Sequence, residues 1–105
     1  MAKYLLAYHG GGMPETEEEQ AKVLANWGEW YGKLGSAVVD PGNPIGQTRT
    51  VSGDGSVSAG GGANPVSGYT ILEANDIDAA AEMAKTCPIV QSGGSIEVAE
   101  TFNVM

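Results

Sequence analysis

Lys3-Tyr4-Leu5-Leu6-Ala7-Tyr8-His9, followed at once by Gly10-Gly11-Gly12, decides how the rest of the chain is read. Side chains alternate along a strand, so Tyr4, Leu6 and Tyr8 share one face while Leu5, Ala7 and His9 share the other. Both sets are largely apolar. A strand of that kind is expected in the middle of a sheet, covered on both sides. One face needs helices from its own chain, and the other needs a further layer.

The next segment supplies the helices' side of the bargain. Pro14 suits a first helical turn, and Glu15, Glu17, Glu18 and Glu19 place negative charge at the end of the dipole that favours it. At 100° per residue, Val23, Leu24, Trp27, Trp30, Tyr31 and Leu34 fall within an arc of roughly 120°. Lys22, Glu29 and Lys33 lie opposite, and Gly35 is placed to close the helix. Ser36 to Asp40 reads as a short strand stopped by Pro41-Gly42.

Pro41 to Val66 contains seven Gly, three Ser and three Pro in twenty-six residues. An unstructured loop of that length is unexpected in a small domain. Alternation in Thr48–Val51 and Ser56–Ala59, joined across Gly53-Asp54-Gly55, predicts an extra hairpin inside it. Gly60 to Pro65 is then a flexible connection. Gly68 to Ala74 is a strand, and Asn75 or Asp76 caps a second helix whose slim face is Ile77, Ala80, Ala81 and Ala84. Pro88 is expected to end that helix, and Ser95 to Phe102 to form the last strand.

The order β-α-β-(hairpin)-β-α-β predicts an α+β, ferredoxin-like split βαβ domain with an antiparallel sheet and both helices on one face. With 105 residues the chain has room for one domain, residues 1–105.

Composition removes several function classes. The net charge is −8, with five Lys+Arg against thirteen Asp+Glu, so neither nucleic acid nor an anionic membrane is an expected partner. One cysteine, Cys87, makes no internal disulfide, and one histidine beside it makes no zinc site of the Cys/His type. No metal and no cofactor is expected. The apolar start is too short for a signal peptide or a span, so a cytoplasmic, bacterial-type protein is the expectation.

Taken together, the Lys-Tyr-Leu-Leu-Ala-Tyr strand, the tryptophan-bearing helix ending in Leu34-Gly35-Ser36, and Val38-Val39-Asp40-Pro41-Gly42 have a familiar order. Gly68-Tyr69-Thr70-Ile71-Leu72-Glu73-Ala74, Cys87-Pro88 and Gly93-Gly94-Ser95-Ile96-Glu97-Val98 continue it. In that order the chain resembles the YCII-related (YciI-like, DGPF-domain) family of small bacterial proteins. The resemblance implies a dimeric α+β barrel, in which two sheets pack face to face around a pocket. It also implies that some relatives are enzymes with a His–Asp pair, one branch being a dehydrochlorinase. This chain has no histidine in its first helix, and Gly60 to Pro65 stands where the other branch has Asp-Gly-Pro-Phe.

Five residues are candidates for a site. His9 is the one side chain whose ordinary pKa lies near neutrality. The first two principal strands of a split βαβ run the same way with one strand between them. His9 and Asp40 are therefore expected on one rim, about 10 Å apart, as a catalytic pair. Trp27 and Tyr31 would wall a ligand pocket if they do not simply pack in the core. Arg49, the sole arginine, could clamp a carboxylate, although a surface ion pair explains it as well. Gly10-Gly11-Gly12 is not a phosphate loop, because no lysine follows and glutamates do. Cys87 reads as a small buried hydrophobe.

The expectation is a homodimer that binds an unidentified small molecule in a barrel-rim pocket, a lyase or hydrolase if it is catalytic. The alternative is a non-catalytic interaction or regulatory module that lacks the family dyad.

Overall fold

The computed structural model describes residues 2–11 and 15–102. Four strands form the main sheet: β1 (Ala2–His9), β2 (Val38–Asp40), β5 (Val66–Ala74) and β6 (Ser95–Glu100), in the order β2-β5-β1-β6. Every adjacent pair is antiparallel. This is the split βαβ order, and the fold is α+β as expected. Strands β3 (Arg49–Val51) and β4 (Val57–Ala59) pair with each other as the separate hairpin. All six of its strand residues are exposed.

Helix α1 runs Glu17–Leu34, and the side chain of Thr16 caps it by accepting from the Glu19 amide at 3.2 Å. Thr16-x-x-Glu19 is a capping-box spacing. The expectation for Pro14 lies outside the described residues. Gly35 ends the helix at φ +56°, and Gly35–Ala37 makes one 3-10 turn before β2 begins, two residues later than expected.

Pro88 does not end the second helix. Helix α2 (Ile77–Ala84) stops earlier, and Pro88 opens a short third helix, α3 (Pro88–Gln91), at its first position. A proline there forfeits no helical hydrogen bond, which is why it starts helices more readily than it ends them. The last strand also stops short, at Glu100. Both the amide and the hydroxyl of Thr101 turn to the Lys3 carbonyl, at 3.1 and 2.8 Å, and Phe102 is left exposed.

The core lies on one face of the sheet. Tyr4, Leu6 and Tyr8 of β1 meet Thr70, Leu72 and Ala74 of β5, and all six are buried. Trp30, Ala80, Ala84 and Cys87 cover them. Trp30 is locked from both ends, because its ring is buried and its Nε1 donates to the Met83 carbonyl and to Thr86 Oγ1, each at 3.1 Å. On the other face Leu5, Ala7, Tyr69, Ile71 and Ala99 are only half-buried. Among the described residues, no helix is long and apolar enough to cross a membrane.

Candidate functional site

The apolar arc of α1 is only partly used for packing. Trp30 is its one buried residue, while Leu24 remains 63% exposed. Beneath the N-terminal part of this arc lies a cavity of about 380 Å³, within the usual range for small-ligand pockets. Helix α1 contributes Val23, Leu24, Trp27 and Tyr31; the end of β1 contributes Tyr8, Gly10 and Gly11. The far wall is the loop Pro41-Gly42-Asn43-Pro44 with Ser67, Gly68 and Tyr69 of β5, and one side is closed by Ile89 of α3 and by Ser92, which caps that helix.

Aromatic rings shape the inner wall. Trp27 meets Tyr8 edge to face at 5.3 Å between centroids, and Tyr31 lies 5.8 Å from Trp27. Such pairs hold each other in orientation beyond the area they bury.

A hydrogen-bonded group beneath the rings fixes the opposite wall. Tyr8 Oη donates to Thr70 Oγ1 at 2.6 Å, and Thr70 Oγ1 donates to the Pro41 carbonyl at 3.0 Å. Tyr31 Oη donates to that same carbonyl at 3.0 Å. Thr70 is fully buried, and a buried hydroxyl without partners would be costly. Here both its proton and a lone pair are used. Burial pushes the Tyr8 and Tyr31 phenols above the ordinary phenol range, so both remain neutral donors at physiological pH. Burial likewise pushes the Cys87 thiol up to about 11. It is a core residue and not an activated nucleophile.

Gly42 lets the loop come this close. Its φ is +74°, and a Cβ there would fall on the Tyr69 carbonyl oxygen. The Asp40 carboxylate accepts from the Gly42 amide at 2.9 Å and so holds the turn.

The candidate residues are distributed unevenly. Trp27 and Tyr31 line the cavity; His9, Asp40 and Arg49 are not among its described lining residues. His9 pairs with Val66 and Asp40 with Ile71, five residues apart on β5. That offset is roughly 16 Å along the strand, with about 10 Å more across two strand spacings. The structure therefore does not bring His9 and Asp40 to one rim. The shared strand direction is as expected, but β2 has only three residues and stops far short of the end of β1.

His9 instead lies on the half-covered face, its side chain 14% exposed. Its Nδ1 donates to the Asn64 and Pro65 carbonyls at 3.1 and 3.3 Å, and its Nε2 stands 3.8 Å from Glu97. Because Nδ1 meets only carbonyls, the proton belongs on that nitrogen. The ring ties the glycine-rich connection to the end of β1. Arg49 is exposed in β3 and donates to the neighbouring Thr48 carbonyl at 2.8 Å.

Tyr8, Thr70 and the Pro41 carbonyl were not legible as site residues. Tyr8 reads as a core position, Thr70 as one polar residue in an apolar strand, and a carbonyl has no sequence signal. The proline pair at 41 and 44 is the one hint that a fixed loop lies here. Among the described residues, no group of three His, Cys, Asp or Glu could hold a metal.

No curated protein matches the chain. The model of the YCII-related domain matches residues 3–103, which takes in the four strands of the sheet except Ala2, the three helices and the cavity's described lining residues. The chain belongs to the YCII-related family.

Proposed function

We propose that the protein binds an uncharged, largely apolar small molecule in the cavity beneath α1. One observation carries this: none of the cavity's described lining residues is charged, and aromatic and aliphatic side chains dominate them. A lyase or hydrolase would need a group able to carry a proton at the ligand. The nearest candidates, the Tyr8 and Tyr31 phenols, are pushed away from neutrality by burial, which favours binding over catalysis.

N-phenyl-1-naphthylamine, an uncharged dye that brightens in apolar surroundings, tests this directly. Saturable binding near one dye per chain is expected, weakened about ten-fold by Trp27→Ala through loss of a stacking wall. Val57→Ser, on the hairpin and not among the cavity's described lining residues, should bind as the parent does. No saturable brightening, or equal brightening in Trp27→Ala, would refute the proposal.

A second copy of the chain is the proposed partner. The half-buried face of Leu5, Ala7, Tyr69, Ile71 and Ala99 supports this, since five apolar side chains share one open surface. Light scattering should give twice the 10.8 kDa of the chain; a single-chain mass at micromolar concentration would refute it.

A further inference from the structure

The direction in which the cavity's hydroxyl protons point has a consequence for what can bind. Four hydroxyl-bearing side chains of the wall each send their proton into the protein. Tyr8 donates to Thr70 Oγ1 at 2.6 Å and Tyr31 to the Pro41 carbonyl at 3.0 Å. Ser67 Oγ donates to the Gly10 carbonyl at 3.0 Å, and Ser92 Oγ to the Pro88 carbonyl at 3.1 Å. A hydroxyl has one proton and two acceptor lone pairs. Once the proton is committed, only acceptor capacity remains for a visitor.

The Pro41 carbonyl is itself occupied twice, by Tyr31 and by Thr70. Two further polar side chains belong to the wall: Asn43, which is exposed, and Tyr69, which alternation sets on the opposite face of β5 from Thr70.

We infer that the cavity selects an uncharged aromatic molecule bearing a hydrogen-bond donor, such as a phenol, an indole or an arylamine. The inference rests on the proposed ligand site and narrows its chemistry. Rings stack against Trp27 and Tyr31, and the donor meets the acceptor capacity that the Tyr31 hydroxyl keeps beside its bond to Pro41 and its 3.4 Å contact with Thr70 Oγ1. A carboxylate or phosphate finds no cation in the described wall and enters a chain of net charge −8. An ether or ketone of the same shape brings another acceptor to four hydroxyls whose protons are already committed, and loses its water without replacement there.

Matched naphthalenes separate these cases at pH 7, by displacement of N-phenyl-1-naphthylamine. We expect 2-naphthol to bind about five-fold more tightly than 2-methoxynaphthalene, the size of one net hydrogen bond, and naphthalene-2-carboxylate to bind weakest. Tyr31→Phe keeps the ring and removes the acceptor, so it should bring the alcohol and the ether within two-fold of each other. Equal binding of 2-naphthol and 2-methoxynaphthalene, tighter binding of the carboxylate, or a preference unchanged in Tyr31→Phe would each overturn the inference while leaving the ligand site standing. Failure of the dye itself to bind would remove the site, and the inference with it.

Discussion

Gly42 and Gly35 form a matched pair for testing what shapes the cavity. Both have positive φ, +74° and +56°, so replacement by alanine strains the backbone at each, by about 2 kcal/mol. They differ in what surrounds the new methyl group. At Gly35 nothing lies within 4 Å, whereas at Gly42 the Cβ falls on the Tyr69 carbonyl oxygen. Gly35→Ala should therefore cost only the strain, lowering the melting temperature by roughly 5–15 °C for a domain of this size.

Gly42→Ala cannot be accommodated without moving the loop. The movement would disturb three hydrogen bonds: Thr70 to Pro41 at 3.0 Å, Tyr31 to Pro41 at 3.0 Å, and the Tyr69 amide to the Asn43 carbonyl at 3.3 Å. At about 1 kcal/mol each, added to the strain, the total is about 4–5 kcal/mol. That is a large part of the 5–15 kcal/mol typical of a whole domain. Thermal melts and dye titrations of the two variants read this out. Gly42→Ala should lose at least twice the stability lost by Gly35→Ala, and should lose dye binding as well, while Gly35→Ala retains it. Equal destabilisation by the two substitutions would show that the loop is not held where the cavity requires it.

Leu72→Ala, at a fully buried position, should cost about 2–5 kcal/mol in chemical denaturation; a loss below 1 kcal/mol would mean that the two core layers are not packed as described. Amides in Gly60–Asn64 should exchange quickly, apart from Gly60, which donates to the Thr48 carbonyl at 3.0 Å, and those in Tyr69–Leu72 slowly, because Gly61–Asn64 is exposed and outside the ladders while the second stretch is central in the sheet; similar protection would refute this. The Cys87 thiol is raised in the fold to about 11, from 9.0. The unfolded chain therefore releases that proton first, and the melting temperature should fall as pH rises above about 9, with the Tyr8 and Tyr31 phenols acting in the same direction. A flat profile from pH 8 to 10.5 would contradict the burial of this group.

How much of this was legible depends on whether a feature is local. The alternation in Lys3–His9 and the arc in α1 follow from side-chain periodicity, so strand, helix and topology could be read from residues alone. The boundaries that moved were set by competition between partners. The Thr101 amide still makes the next bond of the β1–β6 register, to the Lys3 carbonyl, and its hydroxyl takes the same acceptor, so the strand ends there. Strand direction was legible for His9 and Asp40, but register was not. Whether two parallel strands end level depends on where each stops pairing with the strand between them, and Pro41-Gly42 stops β2 opposite Ile71. Likewise, periodicity shows that Val23, Leu24, Trp27 and Tyr31 share a stripe, yet not whether protein fills the space beneath it.

Thr70 links the legible part to the rest. Leu72 and Ala74 share its face of β5, and an apolar residue at 70 would continue their packing without asking anything of the loop. A buried threonine requires partners, and it obtains them from Tyr8 below and from Pro41 across the sheet edge. The Pro41 carbonyl in turn gathers Tyr31 from α1. One polar side chain thus fixes β1, β5, α1 and the loop after β2 at a common distance, with the cavity beside it. With Tyr31 held by the loop and Trp27 set edge to face on Tyr8, Val23 and Leu24 are left over the cavity. On these contacts, the hydrogen-bonded group fixes the wall from which the cavity opens.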